Sequence, residues 1–196
     1  MPEDLQFTWA KIARRIRVPV GFAFTAVYVW LAHPSLRSIL AGAFFVVIGV
    51  LVRAMASGHL QKNERLATRG PYAYTRNPLY LGSLILALGF ASASLSGWIA
   101  IGLTVIFAGI YLPVIQAEEI FLRTRFPEFA EYARKVPRIF PRVRHFHHAD
   151  GGFSWGLYLK HREYNAALGS AALMAALVMK LLWSIHHEAG TRISIF

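Results

Sequence analysis

Apolar residues run through this chain in long unbroken blocks, at about 18–32, 36–56, 78–95, 97–116 and 165–185. A helix needs about 20 residues to cross a bilayer, so the pattern predicts an all-α, multi-pass membrane protein with about five transmembrane helices. The first block is short and extends back through Ile16. The fifth is interrupted by Lys180, which can snorkel from near the end of a span; this block is either a crossing or a helix on the membrane surface. The connections near 33–36 and 94–98 are short and predict two antiparallel hairpins, spans 1–2 and 3–4. Pro113 predicts a kink in span 4. Before span 1, Leu5, Trp9, Ile12 and Ile16 recur at helical spacing among Lys11, Arg14 and Arg15, a pattern that fits an interfacial helix or a plain basic flank.

The polar positions test this layout. Basic residues cluster before span 1 (Lys11, Arg14, Arg15, Arg17), between spans 2 and 3 (Lys62, Arg65, Arg69, Arg76), and between spans 4 and 5 (Arg123 through Arg144, then Lys160 and Arg162). Alternating the spans puts all of these on one side, and the positive-inside rule makes that side cytoplasmic. The C-terminus then lies outside. The acidic start Met1-Pro2-Glu3-Asp4, with no small-residue cleavage pattern after the first block, predicts that span 1 is retained.

Composition agrees. The 196 residues are 56% hydrophobic and 16% charged, with a mean hydropathy of +0.42. The formal net charge of +11 fits an anionic membrane face as well as nucleic acid. Topology accounts for the Lys and Arg residues and no RNA-binding aromatic signature is present, so no nucleic-acid partner is expected. The chain has no cysteine, which excludes disulfides and thiolate metal sites.

Two stretches at the basic end carry chemistry. In the first, Gly70-Pro71 marks a turn and Asn77-Pro78 another where span 3 begins, Pro78 suiting the first turn of a helix. Between them lie Tyr72, Tyr74 and Arg76, either site residues or an aromatic belt with a topology-setting charge. In the second, Glu118 and Glu119 end an apolar helix, with Tyr111, Ile115 and Glu118 on one face. A carboxylate there needs a cation or an aqueous pocket; the plain alternative has one Glu facing water and the other paired with an Arg. Phe126-Pro127-Glu128-Phe129-Ala130-Glu131-Tyr132 predicts a short helix. Val136-Pro137-Arg138-Ile139-Phe140-Pro141 predicts an extended strap, either a lid or a tie for the tail. His145, His147 and His148 near Asp150, and His186, His187 and Glu188, are read as solvated polar segments, so no metal site is expected. No Gly-x-Gly-x-x-Gly follows a strand, which disfavours a soluble dinucleotide-type fold.

Taken together, Arg76-Asn77-Pro78-Leu79-Tyr80-Leu81-Gly82, Glu118-Glu119, then Phe126, Tyr132, Val136-Pro137-Arg138 and Pro141 resemble the isoprenylcysteine carboxyl methyltransferase and phospholipid N-methyltransferase superfamily. The resemblance spans roughly residues 57–142, a methyltransferase core; residues 1–56 match as generic spans, and 143–196 add a His-rich loop and a fifth span. It implies S-adenosylmethionine as methyl donor, in a cytoplasm-facing pocket of a bacterial-type cytoplasmic membrane, and a lipophilic acceptor. By position it implies cofactor contacts from Glu64, Arg65, Leu66, Ala67, Tyr72, Asn77, Pro78, Leu79, Tyr80 and Glu118, with Ser57 near another. Arg76 is the candidate for orienting the acceptor or closing the site. Two departures matter. Many members have His where this chain has Asn77, which cannot titrate near neutral pH. Prenylcysteine-type members have an Arg where this chain has Val114, which cannot bind a carboxylate. Phospholipid amine and thiol acceptors therefore stand beside the prenylcysteine acid. The non-enzymatic alternative is a small transporter or assembly protein, which would be expected to bury ionisable groups near mid-membrane.

Overall fold

The α2–α3 helix pair is the spine of the molecule, and glycine makes it possible. The computed structural model describes residues 3–61, 64–142 and 152–193. Eight α-helices are present among them: α1 Glu3–Leu31, α2 Leu36–His59, α3 Pro78–Ser94, α4 Gly97–Ile106, α5 Leu112–Arg125, α6 Phe129–Lys135, α7 Trp155–Lys160 and α8 Tyr164–Ile193. All five apolar blocks are helical. Three helical stretches, Leu36–His59, Gly97–Arg125 and Tyr164–His187, are long and apolar enough to cross a membrane, and 19–31 and 78–94 are shorter apolar helices. The protein is thus a multi-pass helical membrane protein, and its fifth apolar block is a spanning-length helix.

On the facing stripes of α2 and α3, a Cβ on Gly42 would sit 2.5 Å from the Gly89 carbonyl oxygen, and one on Gly89 2.8 Å from that of Gly42. Two turns away Gly49 and Gly82 repeat the arrangement, each 2.9 Å from the other's carbonyl. Small residues let backbones touch where lipid offers no hydrophobic drive for association. The Ser35 side chain caps α2 in a reciprocal pair with Ser38, and the Ser38 hydroxyl also donates to the Ala93 carbonyl at 3.0 Å.

This packing corrects the hairpin expectation for spans 1–2, while α3 and α4 do pack together. Short links join α1 to α2 and α3 to α4, but the extensive contact is between α2 and α3, which are separated by the long 60–77 connection. Helix α1 turns from α2 and lies along α5, with Ile16 and Val20 packed on Ile110 and Val114. A short link makes helices neighbours in sequence; surface shape selects the packing partner. The face of α3 that carries Gly82 and Gly89 is filled by α2.

Between α4 and α5 the rod widens into a π-type turn over Phe107–Tyr111, where the Leu112 N–H reaches back to the Phe107 carbonyl. Pro113, which has no N–H to donate to the preceding turn, follows at once. The expected irregularity at Pro113 is thus an extra residue in one turn. α1 runs unbroken from Glu3, although the side chains of Leu5 and Trp9, which would define an interfacial face, lie outside the described residues.

Helix α8 is fastened at both ends. Near its start Arg53 of α2 pairs with Glu163, and the His161 ring meets the Ser57 carbonyl at 3.2 Å. Towards the other end the Lys180 ammonium donates to the Val29 and Trp30 carbonyls at 2.6 and 2.8 Å. Those carbonyls belong to the last turn of α1, which lacks intrahelical partners and carries partial negative charge. Lys180→Met is therefore expected to destabilise the fold by about 2 kcal/mol, the worth of charge-assisted hydrogen bonds. Thermal unfolding in detergent checks this; an unchanged midpoint would show that Lys180 does not hold α8.

Candidate functional site

At the basic end, the backbone leaving α2 wraps a cavity of about 560 Å³ lined by Gly58, His59, Glu64–Arg69, Phe126, Glu128 and Ser154, among others. Gly70 closes this stretch with φ +56°, and its Cα faces the His59 ring at a distance that excludes a Cβ. A side chain here would meet both a strained backbone and the imidazole. The turn Gly70–Ala73 follows. Tyr72 is buried, and the Tyr132 hydroxyl donates to its carbonyl at 2.7 Å. Burial pushes the phenols of both Tyr72 and Tyr132 far above their ordinary range; for Tyr72 nearby Tyr132, Glu118, Glu163 and Tyr80 add to the effect. Both remain neutral hydrogen-bond donors in any physiological medium.

The two adjacent acids of α5 have different partners. Glu118 accepts from the Tyr80 hydroxyl at 3.0 Å. Tyr80 in turn meets Tyr111 edge-on, with ring centroids 5.9 Å apart. Glu119 is buried and collects three close donors, Arg138 Nε and Nη2 on Oε2 at 3.0 and 2.8 Å and Asn77 Nδ2 on Oε1 at 3.1 Å; the Arg76 guanidinium pairs with it more loosely, Nε 3.5 Å from Oε1. A buried carboxylate persists only when paired and hydrogen-bonded. Residues 136–141 are the expected strap, and together with Arg142 they lie along the turn before α3. Arg76 N–H donates to the Pro137 carbonyl at 2.9 Å and Arg142 N–H to the Tyr74 carbonyl at 3.2 Å. Asn77 Nδ2 and the Thr75 hydroxyl both donate to the Arg138 carbonyl.

The residues singled out from sequence fall into two adjoining groups. Glu64, Arg65, Leu66 and Ala67 line the cavity. Tyr72, Asn77, Pro78, Leu79, Tyr80 and Glu118 gather at the start of α3 and do not line it. The two groups share a wall: Leu66 packs with Phe126 on the Phe129–Tyr132–Val136 cluster, and Tyr132 holds Tyr72. His59 also lines the cavity. Ser57 is fully buried, with its hydroxyl on the Ala54 carbonyl. Arg76 sits beside Glu119, and Val114 is buried under α1. Arg138 stands in the sequence motif but not among the expected site residues; its role depends on a strap that packs back on α5. His145, His147, His148 and Asp150 lie outside the described residues. Among the described residues no group of three or more His, Asp or Glu is placed to hold a metal.

The chemistry of this lining suits S-adenosylmethionine. The cavity has the size of a small-molecule pocket. It offers carboxylates (Glu64, Glu128) and guanidinium groups (Arg65, Arg69) beside Leu66, Phe126 and Leu157, which match a ligand with a charged amino-acid end, hydroxyls and a flat apolar ring.

A helical membrane protein with its polar groups gathered at one end of the bundle is the class that fold and site define. The chain belongs to the phospholipid methyltransferase family, whose model matches residues 16–128. That match includes the second half of α1 and all of α2, beyond the 57–142 resemblance, and stops short of the strap. The chain is 33% identical over 162 residues to the cobalt-zinc-cadmium resistance protein CzcN of Cupriavidus metallidurans, covering 82% of this chain and 72% of that one. It is 35% identical over 118 residues to the nickel-cobalt-cadmium resistance protein NccN of Alcaligenes xylosoxydans, covering 60% and 54%. It is 32% identical over 108 residues to a probable protein-S-isoprenylcysteine O-methyltransferase of Oryza sativa, covering 48% and 56%. No solved structure matches the chain.

Proposed function

We propose that the protein is an S-adenosylmethionine-dependent methyltransferase of the cytoplasmic membrane, with its site at the cytoplasmic face and a lipophilic acceptor. The observation that carries this reading is the junction of the Glu64–Ala67 cavity with the Tyr80–Glu118 pair, held together through Tyr132 and Tyr72 on a phospholipid methyltransferase scaffold. When bound, the donor supplies a methyl group activated on a sulfonium. The chain's part is alignment to about 3–3.5 Å and exclusion of water, with no nucleophilic side chain required. Glu64 to Ala67 wall the ring and ribose end. Glu118, oriented by Tyr80, takes the ammonium or ribose hydroxyls. Tyr72, Asn77, Pro78 and Leu79 build the turn that carries Tyr80 to Glu118, and Arg76 closes the site from the side of Glu119.

Val114, buried against Ile16 and Val20, argues against an acceptor held by its carboxylate and leaves lipid amines and thiols favoured. Two relatives are named for metal resistance; no observation on the described residues ties this chain to a metal.

Calorimetry of the detergent-solubilised protein with S-adenosylmethionine and S-adenosylhomocysteine tests the reading. Binding is expected well below millimolar; no heat at millimolar ligand would end it, and would favour a transporter or assembly protein. Tritiated-methyl transfer into a total lipid and small-molecule extract, followed by mass spectrometry, then identifies the acceptor.

A further inference from the structure

We infer that Glu119 is the positioning residue of this site and that it holds the 136–142 strap in a releasable latch, with Arg138 as the partner that lets go and Arg76 as the partner that stays. This rests on reading the adjoining pocket as the cofactor site.

One carboxylate joins three segments. Glu119 is carried by α5 next to Glu118, Asn77 begins α3 one turn from Tyr80, and Arg138 belongs to the strap. All three meet at its two oxygens. A shift of Glu119 therefore moves the turn that sets Tyr80 and the strap that crosses it. The side chain touches neither Tyr80 nor Glu118 in these contacts, so it acts through them.

The exposure of the two arginines differs, and this decides which can leave. The Arg138 side chain is 47% exposed and the Glu119 side chain 8%, while Arg76 is 13% exposed. Arg138 can exchange its carboxylate for water at small penalty, as half-exposed ion pairs do. Were Arg138 the sole cation, its departure would strand a buried charge, at heavy penalty. Arg76 prevents that. Its Nε is buried and makes no hydrogen bond among the described residues, yet it stands 3.5 Å from Glu119 Oε1. A buried donor left idle calls for an explanation, and an approach of about half an ångström would bring it to ordinary hydrogen-bond length. The carboxylate thus stays compensated in both positions of the strap. Two arrangements of one ion cluster are what a gate requires, and opening also has to break the strap's hydrogen bonds with Tyr74, Thr75, Arg76 and Asn77.

A latch and a binding contact leave different kinetic marks. A lost contact raises only the dissociation rate of a ligand, whereas a lost latch raises association and dissociation together. Tritiated S-adenosylhomocysteine, filtered on and off the purified full-length protein, reads both. With Arg138→Ala both rates are expected to rise about tenfold, the worth of charge-assisted hydrogen bonds, with Kd changing less than either. Arg138→Lys, which keeps the charge without the fork, should restore part of the difference. Because the chain has no cysteine, spin labels at Phe140→Cys and Thr124→Cys report the strap directly. Phe140 is largely exposed and Thr124 is an exposed position of α5. The distance distribution should be narrow in the parent and broad with Arg138→Ala. Unchanged rates, a rise in dissociation alone, or an unchanged distance distribution would overturn the latch. If the parent fails to bind S-adenosylhomocysteine, the cofactor reading falls and the spin-label distances alone decide: broadening supports the latch, no change overturns it.

Discussion

Leucine in place of Gly89 is expected to take apart the α2–α3 pair. Its Cβ would lie 2.8 Å from the Gly42 carbonyl oxygen and 2.9 Å from Val46 atoms of the facing helix. Backbone cannot rotate aside as a side-chain tip can, so the helices must separate. That separation would be transmitted two turns along the seam to Gly49 and Gly82. Overpacking of a closed interface costs about 1–3 kcal/mol, and more where the obstacle is backbone. The comparison is Gly169→Leu on α8, where a Cβ would meet nothing within 4 Å. Thermal unfolding of the two variants in detergent, followed by circular dichroism, should show a large loss for the first and little for the second. Equal midpoints would mean that the seam does not hold the fold.

Glu118→Ala is expected to weaken binding of S-adenosylhomocysteine by tenfold or more. The carboxylate is already oriented by the Tyr80 hydroxyl, so a ligand ammonium or ribose would find it without further ordering. A hydrogen bond to a charged group contributes about 1.5–3 kcal/mol, which sets the tenfold scale. Tyr80→Phe should do less, about 1 kcal/mol, because it loosens the carboxylate without removing it. Titration calorimetry reads both. An unchanged dissociation constant for Glu118→Ala would remove Glu118 from the site, while weakening by Tyr80→Phe alone would assign the contact to the phenol.

Where the helices lie was legible because lipid imposes a length. The blocks at 36–56, 78–95 and 165–185 stand as Leu36–His59, Pro78–Ser94 and Tyr164–Ile193. Pro78 opens α3 as its position implied. Which helices pack was not legible from connection lengths. The Gly82 and Gly89 pair was visible in the sequence, but its partners Gly42 and Gly49 matter only once α2 is known to face α3. The acids show the same limit. Adjacency placed Glu118 and Glu119 at a helix end, and the spacing set Glu118 on the face of Tyr111 and Ile115. That one would be joined to Tyr80 and the other to Asn77 and two arginines depends on residues 38 to 43 positions earlier and on a strap 19 later. Lys180 is the extreme case. Its partners are carbonyls about 150 residues upstream, and backbone acceptors carry no letter in a sequence.

The widened turn at Phe107–Tyr111 makes the chain's length, there, a matter of aim. Deleting any one of those residues would remove the extra residue of the turn, and each residue subtends about 100° of an α-helix. Glu118 and Glu119 would swing by that angle relative to the membrane half of the rod, off Tyr80 and Asn77. Substitutions in this stretch leave the aim intact; a one-codon deletion would not.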